Sequence, residues 1–308
     1  MRIAIYGSGG LGGYYGARLA EAGHDVHFIA RGAHLDAMRK DGLRVLSPIG
    51  EAHIEAPQAT SNPAEVGVVD LVIVAVKTWQ VPDVAKAMTP MVGDHTRIVS
   101  FLNGVEAPGQ LAQEHGAERV LGGLSRIFSF IEEPGVIRHL NPSAYVQIGD
   151  INGGAGPEAG EVRQMFADAG VEAEVSVDIG SELWKKLLLV TSWAGISTLT
   201  GFALGVLRDQ PETRALIDAS MDEGIAVGRA LGHSIPDNQK DTMWVFYDGL
   251  PSDVTASMMR DIRAGKPSEL HAWNGAIVRY GEQTGVPTPV HRTVYHMLVP
   301  AERISRET

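Results

Sequence analysis

Residues 1–31 read MRIAIYGSGGLGGYYGARLAEAGHDVHFIAR, and this stretch decides the fold. An apolar strand at 2–6 runs into a glycine cluster, a helical pattern follows at 11–22, and a second apolar strand occupies 26–30. Strand, helix and strand in this order predict a βαβ unit. Such units build a parallel, doubly wound sheet with helices on both faces.

The glycine cluster fits the pattern G-x-G-x-x-G at the place where that pattern has meaning, directly after a strand and at the start of a helix. Gly7 permits the tight turn, Gly9 lets a pyrophosphate approach the backbone, and Gly12 lets helix and strand pack closely. The helix N-terminus faces the negative charge. We therefore predict a dinucleotide-binding loop, made of Gly7, Ser8, Gly9, Gly10, Leu11 and Gly12.

The end of the second strand indicates which dinucleotide binds. An NAD enzyme offers Asp or Glu to the ribose hydroxyls there, whereas this strand ends in Arg31. The planar guanidinium of arginine can pair with phosphate oxygens. Arg31 therefore favours NADP (NADPH) over NAD, the alternative being a solvated surface arginine.

Two further polar residues follow apolar strands. Lys77 comes after the strand predicted at 71–76, and Asn103 comes after the strand predicted at 97–102. Ligands of open α/β sheets gather at the carboxyl ends of the strands. Lys77 is then placed to reach a phosphate or ribose, and Asn103 to reach the ribose or nicotinamide; a solvated lysine and an ordinary Asn-Gly turn are the alternatives.

A chain of 308 residues predicts two domains. In the first half the pattern continues with a helix at 81–91, strands at 120–131 and 136–148, and a helix at 161–169. After about residue 176 the periodicity is helical only, with helices predicted at 211–231, 237–247, 269–282 and 288–303. We predict an α/β, Rossmann-like, doubly wound NADP-binding domain over 1–175, an all-α substrate and catalytic domain over 176–308, and an active site in the cleft between them.

Charge and composition exclude several classes of partner. A formal net charge of −11 disfavours general binding to nucleic acid or to anionic membranes. The absence of cysteine excludes disulfides, thiolate catalysis and cysteine-ligated metals, and it suits a reducing, cytoplasmic location. The start of the chain has no apolar core long enough for a secretory signal. The eleven histidines show no metal-ligand spacing, so we expect no metal.

The segment 187–207 contains no charged side chain and is long enough to span a bilayer. It carries several Ser, Thr and Gly residues and has no second segment like it. We therefore predict a helix enclosed by other helices. Such apolar helices suit a homodimer and a buried core equally well.

Motifs distributed over nearly the whole chain occur in the order seen in ketopantoate reductases, also called 2-dehydropantoate 2-reductases. They are the glycine fingerprint with Arg31, VKTWQ (76–80), LNGV (102–105), EPGVIRH (133–139), ELWKKL (182–187) and DIRAGKPSE (261–269). The chain resembles this family. The resemblance implies NADPH-dependent reduction of the ketone of 2-dehydropantoate, a 2-oxo acid, to pantoate, on the way to pantothenate and coenzyme A.

Reduction of a ketone needs a hydride at carbon and a proton at oxygen, so an acid must meet the developing alkoxide. Lys186 is the candidate, whereas Lys185 falls about 100° around the helix. Lys186 shares its helix face with Leu183, Val190, Ala194 and Ser197. A lysine on such a face either lies buried near a partner or extends outward to solvent. The resemblance implies the first, with Lys186 as the catalytic lysine.

The resemblance also implies that Glu269 assists the lysine and contacts the substrate hydroxyl, that Ser257 holds the substrate carboxylate, and that Asn103 contributes to the substrate site. Residue types alone allow simpler roles. We expect Glu269 to start a helix, where a carboxylate suits the helix dipole, and Ser257 before a helix suits a cap.

One departure from the family concerns the substrate. Characterised members carry asparagines one and two turns after the catalytic lysine, where this chain has Val190 and Ala194. The resulting pocket is more apolar, and two lost hydrogen bonds change substrate preference. A family reductase for a different, more apolar 2-oxo acid is therefore an alternative, as is a non-catalytic NADP(H) sensor, against which the retained Lys186 and Glu269 argue.

Overall fold

A mostly parallel sheet of eight strands organises the first half of the chain. In this computed structural model, which describes residues 1–307, the strand order is β12-β11-β8-β7-β6-β1-β2-β5, and only β8 and β11 pair antiparallel. The strands of this sheet are β1 (Arg2–Tyr6), β2 (Asp25–Ile29), β5 (Gln58–Thr60), β6 (Leu71–Val74), β7 (Arg97–Ser100), β8 (Val120–Arg126), β11 (Tyr145–Asp150) and β12 (Glu172–Val175). All four residues of β6 are buried, as an apolar run in a parallel sheet predicts.

Helices cover both faces of this sheet. They are α1 (Gly10–Glu21), α2 (Gly32–Asp41), α3 (Val81–Ala87), α4 (Ala107–His115) and α5 (Pro157–Asp168). Side chains of α1 and α5 join one buried apolar cluster, and side chains of α3 and α4 join another. The doubly wound α/β class is therefore confirmed.

A smaller, second sheet was not predicted. Its strand order is β4-β3-β10-β9, formed by β3 (Leu43–Leu46), β4 (Ala52–Ile54), β9 (Ser129–Glu133) and β10 (Val136–His139). The long strands predicted at 120–131 and 136–148 are wrong, because each one divides between the two sheets: β8 and β11 lie in the large sheet, β9 and β10 in the small one. The break is fixed by tertiary hydrogen bonds, in which Phe128 N donates to Asn141 Oδ1 at 2.7 Å and Leu140 N donates to the Phe128 carbonyl at 2.9 Å.

Contacts divide the chain into two units. The first comprises Met1–Leu102 and Glu106–Gly180, and the second comprises Asn103–Val105 with the chain from Ser181 onward. The second unit is helical, which confirms the predicted all-α region. Its helices are α6 (Ile179–Thr200, whose first two residues belong to the other unit), α7 (Leu204–Asp209), α8 (Pro211–Ala230), α9 (Gln239–Asp248), α10 (Ser257–Arg263), α11 (Asn274–Thr284) and α12 (Pro289–Glu307). The functional boundary after residue 175 stays a prediction.

The apolar segment 187–207 is not one helix. Helix α6 ends at Thr200, Gly201 adopts a positive φ of 76°, and α7 begins at Leu204. Most α6 side chains between Leu187 and Ser197 are buried within the helical unit, as predicted for an enclosed helix. Within residues 1–307, no helix is both long and apolar enough to cross a membrane.

The helix predicted at 269–282 begins later than expected, at Asn274. Residues 268–273 form turns instead, because the carboxylate of Glu302 on α12 binds Ser268. Its Oε2 accepts hydrogen bonds from Ser268 N at 2.9 Å and from Ser268 Oγ at 2.5 Å, while Leu270 N donates to Ser268 Oγ at 3.2 Å. Glu269 therefore lies in a turn and does not start a helix.

Candidate active site

The glycine loop follows β1 and is tied to the end of β2. Gly7 has a φ of 99°, which favours glycine. Gly7 N and Ser8 N both donate to the Ile29 carbonyl at 3.2 Å, and Ser8 Oγ donates to the same oxygen at 3.1 Å. Gly9 is the N-cap of α1 and supplies no side-chain cap, so the first N–H groups of this helix have no capping side chain.

The glycines of the loop serve different purposes. A Cβ at Gly7 would lie 2.7 Å from the Ala75 carbonyl oxygen. One at Gly12 would overlap the Gly7 carbonyl oxygen and lie 2.9 Å from the side chains of Ala75 and Ile5. A Cβ at Gly9 would meet nothing within 4 Å. Gly7 and Gly12 are therefore needed by the fold, whereas Gly9 faces open space in which a ligand can approach the backbone.

Gly10 and Leu11 complete the predicted loop. A Cβ at Gly10 would lie 2.5 Å from the Ser129 carbonyl oxygen and 2.6 Å from Phe130 Cα, so this glycine lets α1 begin directly against β9. Leu11 is half-buried and packs on the core beneath the sheet. Both residues position the loop by packing.

Two cationic residues stand beyond the strands on either side of β1. Arg31 is exposed and is the N-cap of α2, just past β2. Burial raises the pKa of the Tyr6 hydroxyl at the end of β1, and the nearby Arg31 guanidinium opposes part of this rise. Lys77 is exposed past β6, with its ammonium 5.9 Å from the centre of the Trp79 ring. Because β1 pairs with both β2 and β6, the glycine loop has a cation beyond each neighbouring strand.

Asn103 follows β7, and by its contacts the segment Asn103–Val105 belongs to the helical unit. Gly104 has a φ of 95°, and a Cβ there would lie 3.3 Å from the Ala272 carbonyl oxygen. Ala272 lies in the turn that contains Glu269. The structure therefore packs the Asn103 segment against the Glu269 turn, two features far apart in the sequence.

In α6, Lys186 and Lys185 are both half-buried. Lys185 Nζ lies 2.6 Å from Glu182 Oε1, an ion pair between residues one turn apart. On the face predicted for Lys186, Leu183 and Ala194 are buried and Val190 is half-buried. The face of Lys186 is therefore mostly apolar, and buried Ser197 is its polar member.

Glu269 is 7% exposed, a low value for a carboxylate. Ser257 is half-buried and is the first residue of α10, whose N-cap is Ala256. The simpler capping role considered for Ser257 is therefore wrong.

Sequence reasoning missed His34, which binds the glycine loop. Its Nε2 lies 2.8 Å from the Ser8 carbonyl oxygen, and its Nδ1 accepts the Gly135 N–H at 3.0 Å. A histidine in the first turn of the helix that follows Arg31 was the available signal. The partner at Gly135 is distant in sequence and could not be anticipated.

Comparison with known proteins places both halves of the chain in one family. Residues 3–153 match the family model described as ketopantoate reductase PanE/ApbA, and residues 178–302 match the model of its C-terminal part. The chain belongs to the ketopantoate reductase family. This confirms the resemblance inferred from the sequence motifs, and the family is one of oxidoreductases.

Individual relatives cover the full length. A 2-dehydropantoate 2-reductase from Mesorhizobium japonicum is 31% identical over 100% of this chain and 98% of the relative. The crystal structure of a 2-dehydropantoate 2-reductase from Geobacter metallireducens has a TM-score of 0.92 at 31% identity, covering 98% of this chain and 100% of that one. A D-mandelate dehydrogenase solved with NADH and anilino(oxo)acetate shares the fold, with a TM-score of 0.90 at 20% identity over 99% of each chain.

Proposed function

We propose that this protein is an NADP-dependent reductase that converts a 2-oxo acid to the 2-hydroxy acid, with 2-dehydropantoate as the first candidate substrate. The observation that carries the proposal is the glycine loop itself: Gly9 faces open space at an uncapped helix N-terminus, and a cation stands beyond each neighbouring strand. The substrate is inferred from relatives about 30% identical to the chain, which are 2-dehydropantoate 2-reductases.

The residues present fit a phosphorylated dinucleotide. The N-terminus of α1 and the backbone at Gly9 suit a pyrophosphate, because helix N–H groups and the helix dipole attract anions. Arg31 suits a 2′-phosphate, and no carboxylate follows directly on β2 to bind a free 2′-hydroxyl. Lys77 suits a further phosphate or ribose oxygen, and Asn103 suits the ribose or nicotinamide. NADPH, when bound, supplies the hydride.

The chain supplies the proton. As hydride reaches the carbonyl carbon of the substrate, the carbon–oxygen double bond becomes a single bond and negative charge develops on the oxygen. Lys186 donates a proton from Nζ to that oxygen, which gives the hydroxyl of the product. The carboxylate of Glu269 favours the charged form of the lysine and contacts the substrate hydroxyl, while Ser257 and Asn103 hold the remaining polar groups of the substrate.

A more apolar 2-oxo acid is the second candidate substrate. The face of α6 that carries Lys186 continues through half-buried Val190 and buried Ala194, and neither side chain can donate or accept a hydrogen bond. A site without such groups has no unpaired polar atoms to penalise an apolar substrate. The face therefore suits a branched or aromatic 2-oxo acid as well as 2-dehydropantoate.

A substrate panel tests both candidates. We would follow NADPH oxidation with 2-dehydropantoate, 2-oxoisovalerate and phenylglyoxylate at matched concentrations, with Lys186→Ala as the control for background oxidation. Highest kcat/KM with 2-dehydropantoate supports the first candidate, and highest kcat/KM with an apolar acid supports the second. If the protein binds NADPH tightly but none of the three acids leads to NADPH oxidation, the result contradicts the proposed reductase activity and favours the non-catalytic NADP(H) sensor.

A further inference from the structure

His34 is held between two backbone groups that belong to different parts of the α/β unit. Its Nδ1 accepts the N–H of Gly135 at 3.0 Å, so Nδ1 carries no proton. Its Nε2, 2.8 Å from the Ser8 carbonyl oxygen, is then the protonated nitrogen and donates to that oxygen. Burial lowers the pKa of His34, which keeps the ring in this neutral form.

The first partner, Ser8, lies in the middle of the glycine loop. Its N–H and hydroxyl are already bound to the Ile29 carbonyl at the end of β2. The bond from His34 uses the remaining backbone group, the carbonyl. The loop is thereby fixed from two sides, by β2 through Ile29 and by α2 through His34.

The second partner, Gly135, forms the turn between β9 and β10, with a φ of 82°. A Cβ at Gly135 would lie 3.2 Å from Ala37 Cβ, so this turn packs directly on α2. The same hairpin touches the glycine loop at its other end, where β9 lies against Gly10. His34 therefore joins α2, the hairpin and the loop into one assembly.

We propose that His34 is a positioning residue that fixes the distance between the pyrophosphate site at the glycine loop and the 2′-phosphate site at Arg31. This inference rests on the proposed NADP binding. Arg31 is the N-cap of the same helix whose first turn carries His34, so movement of α2 relative to Ser8 moves one anion site relative to the other. NADPH carries a pyrophosphate and a 2′-phosphate, so its binding affinity depends on the distance between the two sites. NADH lacks the 2′-phosphate, and its binding affinity depends on that distance far less.

The test compares variants that keep or remove the two hydrogen bonds. His34→Gln offers one N–H donor and one oxygen acceptor, whereas His34→Leu fills space without either. His115→Leu is the matched control, because His115 also bonds a backbone carbonyl in the α/β unit, that of Ala85 at 2.7 Å, away from the loop. Kd values for NADPH and NADH are measured by fluorescence titration, and folding is checked by denaturant unfolding.

We expect His34→Leu to weaken NADPH binding about tenfold and NADH binding less than about threefold, since two neutral hydrogen bonds are lost. His34→Gln should remain within about twofold of the unaltered protein for both cofactors, and His115→Leu should change neither Kd. Should His34→Leu not fold, His34→Asn, which is too short to reach both partners, replaces it and is expected to show the same selective loss of NADPH affinity.

Equal losses for NADPH and NADH, or unchanged NADPH affinity in a folded His34→Leu or His34→Asn protein, would overturn the inference. Failure of the unaltered protein to bind either cofactor would instead overturn the proposed function. The two failures are therefore distinguishable in one set of titrations.

Discussion

Gly9→Val separates ligand binding from folding more cleanly than any other change in the glycine loop. Gly9 has a φ of −71°, which all residues adopt, and a Cβ there meets no protein atom within 4 Å. We therefore expect the valine side chain to extend into the space that we assign to the pyrophosphate, so that the folded protein accommodates it and a bound dinucleotide does not.

The expected magnitudes follow from these contacts. A hydrogen bond to a charged group is worth about 1.5–3 kcal/mol, so exclusion of the pyrophosphate from even one helix N–H costs about 2 kcal/mol, or roughly 30-fold in Kd. Valine at an N-cap is less favourable than glycine, by up to about 1 kcal/mol in the free energy of unfolding. We therefore expect Gly9→Val to weaken NADPH binding strongly while the free energy of unfolding changes little.

Gly12→Ala is the contrasting variant, in which the fold itself is strained. Its Cβ would overlap the Gly7 carbonyl oxygen and lie 2.9 Å from the side chains of Ala75 and Ile5, and overpacking of this kind costs about 1–3 kcal/mol of stability. NADPH titration and urea unfolding of both variants give the comparison. If Gly9→Val binds NADPH as tightly as the unaltered protein, the pyrophosphate does not approach this backbone and the assignment of the loop is wrong.

The unaltered protein is expected to bind NADPH at least about tenfold more tightly than NADH, and Arg31→Ala is expected to remove most of this preference. Equal Kd values for the two cofactors in the unaltered protein would contradict the assignment of Arg31 to the 2′-phosphate. Lys186→Ala is expected to lower kcat at least about 100-fold with little change in the Kd for NADPH. Lys185→Ala, which loses the pair with Glu182, is expected to change kcat little, and equal losses of activity in the two variants would disprove the helix-face argument. Burial lowers the pKa of His291 from 6.5 to about 4, so between these pH values the unfolded chain binds a proton that the folded chain excludes, and the free energy of unfolding should fall by about 3 kcal/mol as the pH is lowered through that window. Denaturant unfolding of the unaltered protein and of His291→Gln across this pH range tests the prediction, because the difference between their stability–pH curves reports the contribution of His291.

The first 31 residues predict the α/β fold correctly because two independent signals agree there. The apolar run in Arg2–Tyr6 predicts a parallel strand, which is buried on both faces, and the glycine fingerprint predicts the turn between strand and helix. Neither signal depends on the rest of the chain. In the second half, local helical periodicity predicts the helices in the same way.

Local patterns fail where distant residues decide the conformation. Nothing in the alternation of 120–148 shows that the chain changes sheets, because strands of either sheet have the same period of two. The start of α11 fails for a similar reason: residues 269–273 have helical spacing, but the buried carboxylate of Glu302 holds Ser268 in a turn. In both cases tertiary hydrogen bonds override a correct local preference.

In the candidate site, the residue types are predicted from the sequence, but their contacts with distant segments are seen only in the folded structure. The sequence indicates Asn103 as a site residue because it follows a strand, and the structure packs its segment against the Ala272 carbonyl, in the turn that holds Glu269. The approach requires a residue with positive φ and no side chain at position 104, which glycine provides. The Asn-Gly pair is therefore more than a turn after a strand: its glycine permits the close contact that brings Asn103 to the turn of the proposed catalytic carboxylate. A Cβ at Gly104 would lie 3.3 Å from that carbonyl and adopt an unfavourable φ, so a substitution there would displace Asn103 without changing any proposed catalytic residue.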